Sequence, residues 1–199
     1  MIGIIDYGAG NLHSVAKALK FLGCEFCFVQ NPQDLRRVER LILPGVGAFG
    51  QAARELKKRR LWPGLSSWMR EAKPLLGICL GMQLLLDRSE ESPEIEGLGF
   101  LKGTCRKLRA KKVPHMGWNE VCFLGSHPLF EGLPDESCFY FVHSYYVCPE
   151  DSQVIRGITE YNLEFPSIIQ KGRVLGLQFH PEKSGGLGLL LLRNWVEKC

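Results

Sequence analysis

No histidine pair in this chain has the spacing of a metal site, and there are only five histidines, so no metal ion is expected. Gly-x-Ser-x-Gly is also absent, which disfavours a serine hydrolase built on a strand-to-helix turn. Neither sign of charge dominates: 25 Lys and Arg against 21 Asp and Glu leave +4, so neither a nucleic acid nor another polyanion is demanded as partner. The longest uncharged run near a motif, Pro74–Leu86, is far too short to span a bilayer, and LGLLLL at Leu187–Leu192 is shorter still. No secretory leader is visible; MIGIID reads directly as a strand. Internal repeats, linkers and low-complexity tracts are missing too. These absences predict a cytoplasmic chain with no membrane segment.

What is present is ordinary for a globular protein: 199 residues, 45% apolar and 23% charged, enough for one large core. Eight cysteines without a leader predict free thiols in a reducing compartment. Cys24 and Cys27 form a lone CxxC inside an apolar run, which reads as core rather than as a redox or metal motif. The basic clusters at Lys57–Arg60 and Arg106–Lys112 read as solvated faces, with docking to an acidic partner as the alternative.

Strand-like and helix-like segments alternate through the first half. Ile2–Asp6, Glu25–Gln30, Arg40–Leu43 and Pro74–Ile78 are apolar runs. Between them lie helical patterns at Asn11–Gly23, a short one at Asp34–Glu39, GQAARELKKRR and LSSWMREAK; another is expected over Leu80–Asp87. Nearly continuous apolar strands separated by helices imply a parallel sheet covered on both faces. From about Gly97 the pattern becomes β-rich, with turn residues that suggest hairpins, and a last helix spans about Gly186–Glu197. The expected fold is a three-layer α/β domain, residues 1–199, with a mostly parallel central sheet and an added antiparallel part.

Chemistry concentrates in two places. At GICLG, Gly77–Gly81, an apolar strand meets a helix with Cys79 between two glycines. This is the layout of a nucleophile elbow, where a sharp turn leaves room only for tiny neighbours. The turn puts the thiol at a helix N-terminus, where partial positive charge favours thiolate, and lets the Leu80 amide donate to an oxyanion. Gln83, one turn on, looks into the same space. The competing reading is a small buried hydrophobe. A cysteine nucleophile also needs a base and an orienter. QFHPE offers His180 at a strand end and Glu182 two residues later, with Pro181 stiffening the pair. Ligands of parallel sheets bind beyond the carboxyl ends of strands, so Cys79 and His180 are expected to meet there.

PGVGAFG, Pro44–Gly50, carries two readings. Gly45, Gly47 and Gly50 fit the G-x-G-x-x-G dinucleotide outline, and the same glycines suit a backbone strand beside the thiol. His13 in a helix, His127 in a loop, and His115 and His143 beside aromatic segments read as structural histidines.

GICLGMQ followed by HPE resembles the class I (triad) glutamine amidotransferases. IDYGAGNLHSV, LPGVGAFG, VPHMGWNEV, YFVHSYY and QFHPEKSG extend the resemblance to one branch, the glutaminase subunits of imidazole glycerol phosphate synthase. The resemblance implies a flavodoxin-like fold and glutamine hydrolysis through a cysteine thioester. It implies Cys79, His180 and Glu182 as the triad, and main-chain groups at Val46, Gly47 and Leu80 as the oxyanion hole. Gly45, Gly47, Gln83, Ser144 and Tyr145 match substrate-binding positions. Asn11, Trp118, Asn119, Tyr140 and Lys183 match positions facing a (β/α)8-barrel cyclase subunit. That partner would take up the ammonia and form imidazole glycerol phosphate and the purine precursor AICAR, with no cofactor on this chain. Low glutamine turnover by the isolated subunit is implied as well. KSGGLGLLLL departs from the family by its glycine and leucine content, and SEESPEIEGLGFLKGTCRKL carries nothing diagnostic. The alternatives are a glutaminase feeding another synthase, such as one for sugar amidation, and a nucleotide-binding module on Gly45–Gly50.

Overall fold

A computed structural model describes residues 1–8 and 11–199. The DYGAGN turn therefore includes two residues, Ala9 and Gly10, outside the described ones. In chain order the elements are β1 (Ile2–Ile5), α1 (Leu12–Phe21), β2 (Phe26–Val29), β3 (Arg40–Leu43), α2 (Phe49–Lys58), α3 (Leu61–Arg70), β4 (Leu75–Ile78) and α4 (Leu80–Gln83). Then come β5 (Leu86–Ser89), β6 (Leu101–Lys107), β7 (His115–Phe123), β8 (Ser137–His143), β9 (Tyr145–Pro149), β10 (Ile155–Glu160), β11 (Glu164–Lys171), β12 (Val174–Leu177) and α5 (Gly185–Lys198).

Nine strands form one sheet in the order β2-β1-β3-β4-β12-β11-β10-β7-β8. The first five run parallel. From β11 onward each neighbour is antiparallel. A small sheet, β5-β6-β9, lies apart from it.

The period of two along each strand explains why the parallel half is apolar throughout. Ile5, Leu41, Leu43, Leu75 and Val174 enter one core, with α2, α3 and the small sheet. Ile4, Ile42, Leu76, Ile78, Leu175 and Leu177 enter the other, with α1, α5 and Phe139, Phe141, Phe165 and Phe179. Each strand thus fills two layers, and the three-layer α/β expectation holds.

Several expected boundaries move. The helix after Cys79 is a single turn, Leu80–Gln83, rather than Leu80–Asp87, and Leu86–Ser89 is a strand. Leu84, Leu85 and Leu86 are all fully buried, so the run has no periodicity to separate helix from strand. Tertiary bonds decide instead: the Leu98 N–H donates to the Leu84 carbonyl and the Leu101 N–H to that of Leu85. Asp34–Arg37 is a 3-10 turn, and SCFYFVHSYYV breaks at Ser144 into strands of two different sheets. Among the described residues no helix is long and apolar enough to cross a membrane.

Candidate active site

β4 and β12 are neighbours in the sheet, and their carboxyl ends carry Cys79 and the segment leading to His180. The Cys79 backbone sits at φ 52°, ψ −107°, a region a non-glycine residue enters only when its surroundings force it. The force is visible. The Cys79 N–H donates to the Leu177 carbonyl at 2.7 Å, and the Gln83 N–H closes the turn by donating to the Cys79 carbonyl at 3.1 Å. A side chain on Gly81 would collide with the Leu43 carbonyl, and one on Gly77 would lie 2.7 Å from the Gly81 oxygen. The elbow closes only with glycine on both sides.

The Cys79 thiol is 6% exposed and lines a cavity of about 280 Å³. Val46, Gly47, Leu80, Gln83, Ser144 and Tyr145 line it too. Leu80 opens α4, so its N–H has no partner within the helix and is available to a bound oxyanion. Gly47, at φ +101°, has no neighbour within 4 Å of a would-be Cβ, so the peptide it shares with Val46 borders open space. Gly45 stands one layer back: its would-be Cβ lies 2.6 Å from the Tyr7 hydroxyl and 2.9 Å from the Leu80 Cβ. Tyr7 is buried and donates to the Pro44 carbonyl at 3.0 Å, which ties the PGVG strand to the end of β1. Val46 and Gly47 thus form one wall of the thiol cavity, with Gly45 packed behind them.

His180 is 1% exposed, and its Nδ1 meets Glu182 Oε1 at 2.8 Å. Nε2 is buried with no hydrogen-bond partner of normal length. Burial by itself lowers the imidazole pKa, but the neighbouring Cys79 thiol and the hydrogen-bonded Glu182 carboxylate outweigh it and hold His180 above the usual histidine range. A proton that leaves the thiol therefore has a basic receiver already oriented by a carboxylate. Asn11 Nδ2 donates to the same Glu182 oxygen at 3.4 Å.

The positions expected to face a partner fall into three places. Trp118 on β7 is 58% exposed, pairs with Tyr140 across to β8, and meets its ring edge-on at 6.3 Å. Lys183 lies 5.9 Å over the Tyr140 ring, so these three make one patch. Asn11 sits instead beside Glu182. Asn119 projects from the opposite face of β7 to Trp118, where its Nδ2 meets the Glu160 carbonyl and His115.

Three residues without a role in the sequence reading join the site. Glu91 lines the cavity, and its carboxylate accepts from the Phe49 N–H at 2.6 Å. Gln178 is fully buried and donates to Cys79 Sγ at 3.7 Å. Ser184 Oγ donates to the His180 carbonyl and accepts from the Tyr140 N–H, which fixes the HPE turn to β8. A buried glutamine beside the HPE motif was the one readable signal; Glu91 lies in a stretch without local pattern. The buried histidines behave as expected: His115 and His143 are hydrogen-bonded to each other at 3.0 Å. Among the described residues no cluster of His, Cys, Asp and Glu is arranged to hold a metal.

The pattern of the family described as glutamine amidotransferase class-I matches residues 3–199. The chain is 49% identical over 197 residues to the imidazole glycerol phosphate synthase subunit HisH of Bacillus cereus strain B4264, covering 98% of this chain and 93% of that protein. It is 46% identical over 201 residues to subunit HisH 1 of Methanococcus maripaludis, covering 99% of each. Among solved structures, one described as a glutamine amidotransferase superposes with a TM-score of 0.79 at 21% identity, covering 98% of this chain and 97% of that one. PurLQS from Thermotoga maritima gives 0.78 at 19%, over 98% and 96%; these two likenesses concern the fold alone. The chain belongs to the class I glutamine amidotransferase family and, within it, to the HisH branch.

Proposed function

We propose that this chain is the glutaminase subunit of imidazole glycerol phosphate synthase, hydrolysing glutamine to glutamate and ammonia for histidine biosynthesis. The observation that carries the reading is the strained Cys79 elbow, with His180–Glu182 on one side and a cavity walled by Gly47, Gln83 and Ser144 on the other. Cys79 Sγ attacks the side-chain carbonyl carbon of glutamine while His180 Nε2 takes the thiol proton. The resulting oxyanion accepts hydrogen bonds from the Leu80 N–H and the Val46–Gly47 peptide. Collapse breaks the C–N bond, His180 returns the proton to the departing ammonia, and a γ-glutamyl thioester remains. His180 then takes a proton from water, whose oxygen displaces the thiolate and releases glutamate. Glu182 keeps the imidazole in the tautomer whose Nε2 faces the thiol. Gln83, Ser144, Tyr145 and Gly47 hold the substrate, Gly45 supports that wall from behind, and Glu91 pairs with the substrate's ammonium group.

The partner in this reading is the cyclase subunit, which receives the ammonia. The exposed Trp118–Tyr140–Lys183 patch supports a docking face, since aromatic side chains are enriched in interface cores. Its backbone bonds to His180 and Ser184 put that face in contact with the triad turn. The eight free thiols fit a cytoplasmic location, and residues 1–199 are read as one domain. The test is glutamate release by the chain alone and with the cyclase subunit plus its nucleotide ligand. Turnover that rises strongly in the complex supports the reading; equal turnover in both, or none in either, contradicts it.

A further inference from the structure

A line of polar groups runs from the half-buried Asn119 on the outer sheet inward to the nucleophile. Asn119 Nδ2 meets His115 Nε2 at 3.3 Å, and His115 Nδ1 meets His143 Nε2 at 3.0 Å. His143 Nδ1 reaches the Tyr145 carbonyl at 2.9 Å. That carbonyl also accepts from Gln83 Nε2 at 2.9 Å, Gln83 Nε2 meets Gln178 Oε1 at 3.3 Å, and Gln178 Nε2 donates to Cys79 Sγ.

The donor directions in this line are fixed at its ends. A carbonyl oxygen only accepts, so His143 carries its proton on Nδ1 and offers Nε2 as acceptor. His115 must then donate from Nδ1, and its Nε2 must accept from the Asn119 amide. That amide has its other hydrogen on the Glu160 carbonyl at 2.8 Å, so the Asn119 oxygen cannot be turned inward without losing both bonds. One set of neutral tautomers satisfies every link. Burial keeps both histidines neutral, lowering His115 to about 4 and His143 to about 3. His115 cannot swing either: Phe141 stacks at 4.8 Å on its ring and Tyr161 at 4.0 Å. At the outer end, Asn119 lines a cleft of about 710 Å³ beside Trp118, where β7 parts from β10.

We propose that Asn119, His115 and His143 are positioning residues that fix the Tyr145 carbonyl, and through it Gln83, in the orientation that receives glutamine. This rests on the glutaminase reading above and deepens it. The line also gives the partner-facing cleft a route to the substrate pocket, because a change in the Asn119 amide leaves His115 Nε2 without its donor and frees the tautomers behind it.

Two substitutions at one position separate this role from simple packing. In His143→Asn the amide nitrogen can take the place of Nδ1 and keep the bond to Tyr145. In His143→Gln the amide takes the place of Nε2, keeps His115 and abandons Tyr145. Glutamate release and ammonium-dependent synthesis are measured in the assembled complex with excess cyclase subunit. H143Q should raise KM for glutamine by about tenfold, the size of one lost hydrogen bond, with a smaller change in kcat. H143N should raise it clearly less, and Asn119→Ala should resemble H143Q. The melting temperature reports folding, co-elution with the cyclase subunit reports assembly, and ammonium-dependent synthesis reports the cyclase subunit's own activity. H143N and H143Q with equal KM, or an N119A with unchanged KM, overturns the proposal. A wild-type complex that makes no glutamate overturns the glutaminase reading instead.

Discussion

The two halves of the nine-stranded sheet are built for different work. In the parallel half, β2-β1-β3-β4-β12, the strands inside the edge strand β2 are covered on both faces, and the useful surface is the row of carboxyl ends. In the antiparallel half, β11-β10-β7-β8, outward positions such as Met116, Trp118 and Tyr140 lie open or half-open. The first half therefore supplies rigid, glycine-tight chemistry, and the second supplies a surface that another molecule can cover. The proposed triad lies on the seam. Cys79 ends a parallel strand, while the HPE turn is bonded through Tyr140 and Ser184 to the last antiparallel strand. A site so placed can be exact about the nucleophile and still respond to what docks on the far half.

If the halves divide the work in this way, damage to each should read out differently. Cys79→Ala has the largest effect: glutamine-dependent synthesis falls by about 10⁴-fold or more, as for other nucleophile deletions, while the complex still uses free ammonium. Residual glutamine turnover near the wild-type rate would remove Cys79 from its role. Gly81→Ala attacks the same half through folding, because the new methyl meets the Leu43 carbonyl. Overpacking of this kind costs about 3 kcal/mol, and thermal unfolding should show it. Trp118→Ala attacks the other half. The side chain is exposed, so the melting temperature should hold, while affinity for the cyclase subunit drops by about 2 kcal/mol, which titration calorimetry can measure.

The smallest effect concerns pH. His143 has a folded pKa well below that of an unfolded histidine, so only the unfolded chain takes up its proton as pH falls through about 6.5. Stability is therefore full above that pH and is lost progressively toward about 3, by about 1.4 kcal/mol per pH unit from His143. His180, with its raised value, is protonated in both states below 6.5 and adds no slope there. Denaturant titrations between pH 7 and 5 should show the loss, and His143→Asn should flatten it.

The parallel half was largely readable from the residues. Apolar runs bounded by helical spacing located β1, β3, β4 and α1, and GICLG with HPE pointed to two segments that the sheet brings to neighbouring strand ends. The small sheet was not, because Leu84–Leu86 is buried on every side and carries no period. Ser144 hides in a continuous β-like run, yet it is where the chain leaves one sheet for another. Gln178 and Glu91 escaped because their roles depend on strands brought together from distant parts of the chain. The split of Asn119 from Trp118 was present in the alternation of β7, but only the paired strands show which face is which.

The most direct test of this account is to quench the complex during glutamine turnover and map acylated cysteines by peptide mass spectrometry. A γ-glutamyl adduct confined to the peptide holding Cys79, with the other seven cysteines unmodified, is the predicted result. An adduct on another cysteine, or sustained glutamate release in a Cys79→Ala complex, would contradict it.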